Sequence, residues 1–216
     1  MKNWLVGMNK TYYDLFLGEE FNTQVPDQPI VHSKWKTFNP IKHGTPILNE
    51  YSLPKKTIAV IAGGKKSIVS LYLDIKNYWV LTKSLYEDLS KRKILPLHES
   101  SDLSIYNYKQ SLISEDYQLL RFYSDQSDWI DTKHTKIEKA ESSIPKVYYE
   151  LYSDVHLKND ASFFMLINNV IYKKTFFCED ELRNTIFSEC KDIEYHSFED
   201  YNAWYKQRHS RAFAKK

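Results

Sequence analysis

The chain has 216 residues, 42% of them hydrophobic, and carries 30 Lys and Arg against 28 Asp and Glu, a formal charge of +2. That is enough apolar material for a core. The near balance excludes both a strongly basic nucleic-acid binder and the marked acidity of a protein that plugs a basic nuclease.

In chain order, residues 1–56 hold five of the seven prolines, Pro26, Pro29, Pro40, Pro46 and Pro54. Proline fixes φ and removes a donor, so this stretch is expected to be a loop-rich N-terminal lobe. Within it, residues 11–21 are expected to hold a short helix ended by Gly18. Trp4 and Trp35 should pack the lobe onto the rest.

From residue 57 the pattern sharpens. Residues 57–62 and 67–73 flank Gly63 and Gly64, which predicts a hairpin. "YWVL" (78–81) reads as a strand or a helix entry. Ser84 then suits a helix cap, with Glu87 at capping-box spacing and Leu85 and Leu89 four apart. "ILPL" (94–97) reads as extended. "YQLLRFYS" (117–124) and "KVYYELYS" (146–153) read as strands. Residues 162–166 and 169–177 straddle "INN", a tight-hairpin signal. After Phe177, the Leu182, Ile186 and Cys190 spacing predicts a helix with one apolar stripe. Its acidic first turn, Glu179, Asp180 and Glu181, complements the helix dipole. "DIEYH" (192–196) predicts a strand. Ser197 and Asp200 repeat the capping spacing, with Tyr201, Trp204 and Tyr205 on one helical face. The basic last stretch, "KQRHSRAFAKK", is expected to fray.

The expected fold class is α+β, mostly antiparallel sheet with short helices. The chain is expected to form a single domain over 1–216, with the 1–56 lobe on a 57–216 α+β body. Cys178 and Cys190 are the only cysteines, too few for a disulfide framework. A reducing compartment fits. The longest uncharged stretch, Ala161 to Tyr172, covers 12 residues, short of the about 20 that cross a bilayer. The N-terminal apolar run is too short for a secretory signal. A cytoplasmic location is expected, with no membrane partner.

Glycine placement decides much of the chemistry. Gly7, Gly18, Gly44, Gly63 and Gly64 make neither a dinucleotide fingerprint nor a phosphate loop nor a nucleophile elbow. The histidines form no metalloprotease or deaminase signature. The two cysteines are eleven residues apart, too far for a zinc knuckle. Cys190 falls on the apolar stripe and reads as a buried thiol. Cys178 sits where a helix cap is expected and reads as a degenerate cap. No catalytic residue, metal ligand or cofactor site is assigned. An acid-x-Lys nuclease is the enzyme alternative, on "DIK" (74–76), "DTK" (131–133) and "ECK" (189–191). About three such triplets arise by chance at this composition. Arginine makes up only 5 of the 30 cations, so phosphate recognition and a nucleic-acid partner are disfavoured.

Two acidic groups are candidates for partner binding. "SDQSDWIDTKH" (124–134) places Asp125, Asp128 and Asp131 three apart around Trp129. This is either an acidic, aromatic contact patch or a solvated loop anchored by Trp129 and Ile130. Glu179, Asp180 and Glu181 are either a second contact or helix-start electrostatics alone.

Three segments carry a resemblance. In the first, Leu81, Thr82 and Leu85 form an aromatic–Val–Leu–Thr segment with a short Leu-rich helix. In the second, Asp128, Ile130 and Asp131 form an acidic middle. In the third, Glu179, Leu182, Ile186 and Ile193 place a short helix before a final strand. Over about residues 77–200 the chain resembles the bacterial immunity proteins of polymorphic toxin systems. Cys178 replaces their small hydroxyl residue and Asp192 their glycine. The resemblance implies an antitoxin in interbacterial competition, with a cognate toxin as protein partner, no cofactor and no enzymatic activity. A general protein-interaction module is the third reading. The sequence sets no oligomeric state.

Overall fold

The computed structural model describes residues 2–9, 15–19, 53, 55–61, 70–75, 78–107, 111–143, 146–166, 169–172 and 175–213. The chain divides into two compact units. One comprises Met1–Lys10, Lys93–Pro96 and Ser124–Lys216, the other Thr11–Arg92 and Leu97–Tyr123. The described part of the stretch 1–56 is shared between them. Trp4–Asn9 (β1) belongs to the first unit and Leu15–Glu19 (β2) to the second.

The second unit is a six-stranded sheet. Its further strands are Lys56–Ile61 (β3), Leu71–Ile75 (β4), Tyr78–Thr82 (β5), His98–Asn107 (β6) and Leu112–Phe122 (β7). They lie in the order β2-β3-β6-β7-β5-β4. Only β3 and β6 run parallel among these pairs. The helix Lys83–Lys91 (α1) buries Leu85 and Leu89, the four-residue pair read from the sequence. Trp79 meets Phe122 edge-on at 5.1 Å.

Several expectations fail in this unit. Residues 15–19 form a strand, not a helix, because β2 finds a ladder on β3, with Gly18 opposite Ile58. Tertiary pairing overrides a helical reading of so short a run. The strands flanking Gly63 and Gly64 form, but β3 and β4 do not pair as a hairpin. Three other strands separate them in the sheet order, and β4 pairs with β5 instead. The glycines themselves lie outside the described residues, as does Trp35. Residues 94–97 precede β6 and are not a strand. A polar run, "HESSDLSIYN", supplies β6.

The first unit holds a four-stranded sheet, β10-β11-β1-β12. Its strands after β1 are Phe163–Phe164 (β10), Thr175–Glu179 (β11) and Ile193–Ser197 (β12). A hairpin of Lys136–Ser143 (β8) and Lys146–Ser153 (β9) stands beside it. The helices are Asp180–Thr185 (α2), Phe198–Arg208 (α3) and Ser210–Phe213 (α4). The expected fraying after Lys206 gives way to helix through Phe213, whose ring packs on Tyr149 at 5.3 Å. β10 and β11 do pair antiparallel, Phe163 with Cys178. Their connection is wider than a tight hairpin, and Asn169 Oδ1 turns it by accepting from the Ile171 and Tyr172 amides.

Both faces of β11 are covered. Phe177 lies on the side of Trp4, Val6, Phe198 and Tyr201 and stacks on Phe198 at 5.1 Å with 4° between planes. Phe176 faces the other way, onto Phe187 at 5.0 Å. Leu182, Ile186 and Cys190 are all buried, as their spacing implied.

Three strands run into helices with no loop between. Thr82, Glu179 and Ser197 each end a strand and cap the next helix in extended backbone, with ψ of 149°, 151° and 162°. The Ser197 cap is as read, its Oγ accepting from Asp200 N at 3.1 Å. The Ser84 cap is not. Thr82 Oγ1 accepts from Leu85 N instead, and Glu87 pairs with Lys91. Cys178 is no cap either. It is a strand residue with 0% exposure, and Glu179 takes the cap position.

Candidate partner-binding site

The middle acidic stretch folds as a tight turn after β7. Asp125 Oδ1 accepts the Ser127 amide at 2.8 Å. Gln126 is buried and pairs with Met165 both ways. Its amide donates to the Met165 carbonyl at 3.2 Å, and its Oε1 accepts the Met165 amide at 2.8 Å. Residues Ser127–Trp129 form one 3-10 turn. Asp128 is exposed, and its carbonyl accepts from Lys158 Nζ at 2.7 Å. Trp129 is half-buried against the core, and Ile130 is 1% exposed. Trp129 and Ile130 thus anchor the stretch, as one of its two readings proposed.

Asp131 organises the rest of the turn. Its Oδ1 accepts the Lys133 amide at 3.0 Å, and its Oδ2 lies 2.6 Å from His134 Nδ1. The His134 contact first, then the Lys133 amide, hold its carboxyl below the usual range. The Asp131 amide donates to the His156 carbonyl at 2.8 Å. Asp131 and Lys133 are therefore joined through a side-chain-to-backbone turn, which explains the "DTK" triplet by local geometry. In "ECK" the Lys191 amide donates to the Glu189 carbonyl, again a turn. "DIK" reaches beyond the described residues.

The second acidic group begins where β11 ends. Glu179 is held by Lys2, whose Nζ lies 2.7 Å from Glu179 Oε1 and 2.9 Å from Asp160 Oδ1. Burial opposes the Lys2 charge, but the two carboxylates outweigh it and raise its pKa. Asp180 and Glu181 are exposed on the first turn of α2.

The two groups share one support, residues 156–165. Lys158 and Met165 hold the first group. Asp160 reaches Glu179 through Lys2, and the Ser162 carbonyl accepts the Glu179 amide at 3.0 Å. Lys2, Gln126, His134 and His156 had no place in the sequence reading. The Asp-x-Lys spacing of 131–133 was weighed as nuclease chemistry and not as a turn.

Among the described residues, no three His, Cys, Asp or Glu side chains are grouped to hold a metal ion. No helix there is long and apolar enough to cross a membrane. The model of one family, Immunity protein 43, matches residues 8–211. The chain belongs to the Immunity protein 43 family. No curated protein matches it. The match to Immunity protein 43 extends well past the 77–200 stretch that carried the resemblance, and takes in β1's end, β2 and β3. The Immunity protein 43 match therefore covers the second unit whole and most of the first.

Proposed function

We propose that the protein is an antitoxin that docks on a cognate bacterial toxin domain and neutralises it in the cytoplasm, with no turnover of its own. The observation that carries this reading is the Immunity protein 43 match over 8–211. Docking of this kind needs a pre-formed surface of about 1,600 Å² in total, with a few anchors dominating.

The acidic residues around the 156–165 support are part of the proposed contact. Asp128, Asp180 and Glu181 offer exposed carboxylates. Asp125, Asp131, Trp129 and Glu179 hold them in place through the turn, the core and Lys2. A set whose own members are locked loses little entropy on binding.

The test is co-purification with the toxin domain encoded beside its gene, together with rescue of cells that express that toxin. A stable complex and survival are expected. No complex and no rescue would remove the reading.

A further inference from the structure

α3 has a second exposed surface, opposite in charge. Its inward face is used by Phe198, Tyr201, Asn202 and Tyr205. Trp204 is left 37% exposed. The Arg208 guanidinium lies 5.3 Å from the Trp204 ring centroid. No carboxylate pairs with Arg208 among the described residues. Lys206, by contrast, is matched by Glu138 at 2.5 Å. Phe213, packed on Tyr149 and Tyr205, pins α4 beside this end of the helix.

In sequence, the segment that holds α3 is rich in cations. Residues 201–216 contain five of the 30 cations and no acid, so elsewhere 25 cations face 28 acids, a balance of −3. The acids of α3, Glu199 and Asp200, stand in its first turn. At 1.5 Å per residue they lie about 12–14 Å along the helix from Arg208, and Asp200 about 6 Å from Trp204. Cations at a helix C-terminus favour the helix dipole, which accounts for Arg208 being basic. It does not account for a large indole left at the surface under an unmatched guanidinium. Tryptophan and arginine are the side chains most enriched in binding hot spots.

We infer that Trp204 and Arg208 form a docking anchor for an acidic surface of a partner protein, the cognate toxin. This rests on the antitoxin reading. The ring holds the guanidinium in place, and its planar fork is then ready for a carboxylate on the partner. A nucleic acid would call for a wider basic footprint than a chain of near-zero net charge carries.

The experiment measures the affinity of the full chain for the neighbour-encoded toxin domain. Trp204→Ala and Arg208→Glu should each weaken binding about thirtyfold or more, as hot-spot truncations do. Arg208→Lys should fall in between, since it keeps charge and loses the fork. Trp204→Ala also loses the Tyr201 ring contact at 5.5 Å and Arg208→Glu the cation at the helix C-terminus, so each affinity is measured well below that variant's own melting point. If wild type binds and both variants bind equally, the anchor is wrong and the antitoxin reading stands. If wild type does not bind, both fall. Duplex DNA and single-stranded RNA serve as probes in a second arm. Quenching of Trp204 fluorescence by either, lost in Arg208→Glu, would overturn the protein partner in favour of nucleic acid.

Discussion

The ring of Phe176 lies over the backbone of Gly7, its partner across the β1–β11 ladder. A Cβ placed on Gly7 would stand 2.4 Å from Phe176 Cζ and under 3 Å from both Cε atoms. The glycine is what lets the phenylalanine lie across β1 toward Tyr195, whose ring centroid is 6.2 Å away. Gly7→Ala should therefore destabilise the protein by about 1–3 kcal/mol, the usual range for overpacking. Adding Phe176→Leu should recover part of the loss. Urea unfolding of both single variants and the double variant checks this, and additive losses would refute the contact.

Asn202 closes a buried polar ring. It accepts from the Tyr172 hydroxyl at 2.8 Å and donates to the Tyr152 carbonyl at 2.7 Å. The Tyr152 amide in turn donates to the Tyr172 hydroxyl at 2.9 Å. Buried polar groups cost most when a single partner is removed. Asn202→Leu should cost about 2–4 kcal/mol, well beyond a neutral surface change. A loss below about 0.5 kcal/mol in chemical denaturation would show that the ring contributes nothing.

Burial pushes the thiols of Cys178 and Cys190 up to about 12. The thiolate is the reactive form. Iodoacetamide at about pH 8 should leave both unmodified in the folded protein and label both in denaturant. Mass spectrometry reads the outcome. Rapid native labelling of either thiol would contradict its burial.

Glu99 and Arg121 are cross-strand partners, with Arg121 Nη2 at 2.5 Å from Glu99 Oε2. Burial opposes ionisation of Glu99, but hydrogen bonds from Tyr123, the Leu53 amide and Arg121 outweigh it and lower its pKa. A lowered folded-state pKa adds stability that is complete above the unfolded value and fades as pH falls through the folded one. The stability gap between wild type and Glu99→Gln should be flat near neutrality and shrink in acid, from about pH 5 downward. Equilibrium unfolding across that window measures it. A gap independent of pH would rule out the pairing.

Asp131 and Asp128 sit in one turn with different duties. Asp131→Ala removes the acceptor for the Lys133 amide and the partner of His134. It should lower the melting point. Asp128 joins the turn through its carbonyl, which accepts from Lys158, so Asp128→Ala should leave melting unchanged and weaken toxin binding. The reverse pattern would exchange their roles.

Elements with a clear periodic signal were legible before the fold was known. Leu182, Ile186 and Cys190 are buried as expected but not on one helix, because α2 ends at Thr185 and a 3-10 turn, Phe187–Glu189, carries the chain on to Cys190. β9 matches its expected limits and the Ser197 cap was read correctly. These rest on local chemistry, apolar spacing and a hydroxyl three residues before an acid. β6 and β8 escaped because their runs, "HESSDLSIYN" and "KIEKAESS", are polar, and their pairing partners make them strands. Thr82 displaced Ser84 as cap because β5 continues straight into α1. The Asp-x-Lys triplet at 131–133 was weighed as nuclease chemistry and not as the turn it forms, and Lys2 and Gln126 gave no signal. Their contacts reach 177 and 39 residues along the chain, to Glu179 and Met165, and no local pattern encodes such a distance.

The place of β1 has a consequence for biosynthesis. Val6 lies between Phe177 and His196, neighbours that leave the ribosome long after it. At about 5–20 residues per second the wait lasts roughly ten seconds or more. Until Ile193–Ser197 emerges, β1 lacks one of its two flanking strands. A nascent chain cut short before that point cannot close this sheet and leaves one edge of β1 without its ladder.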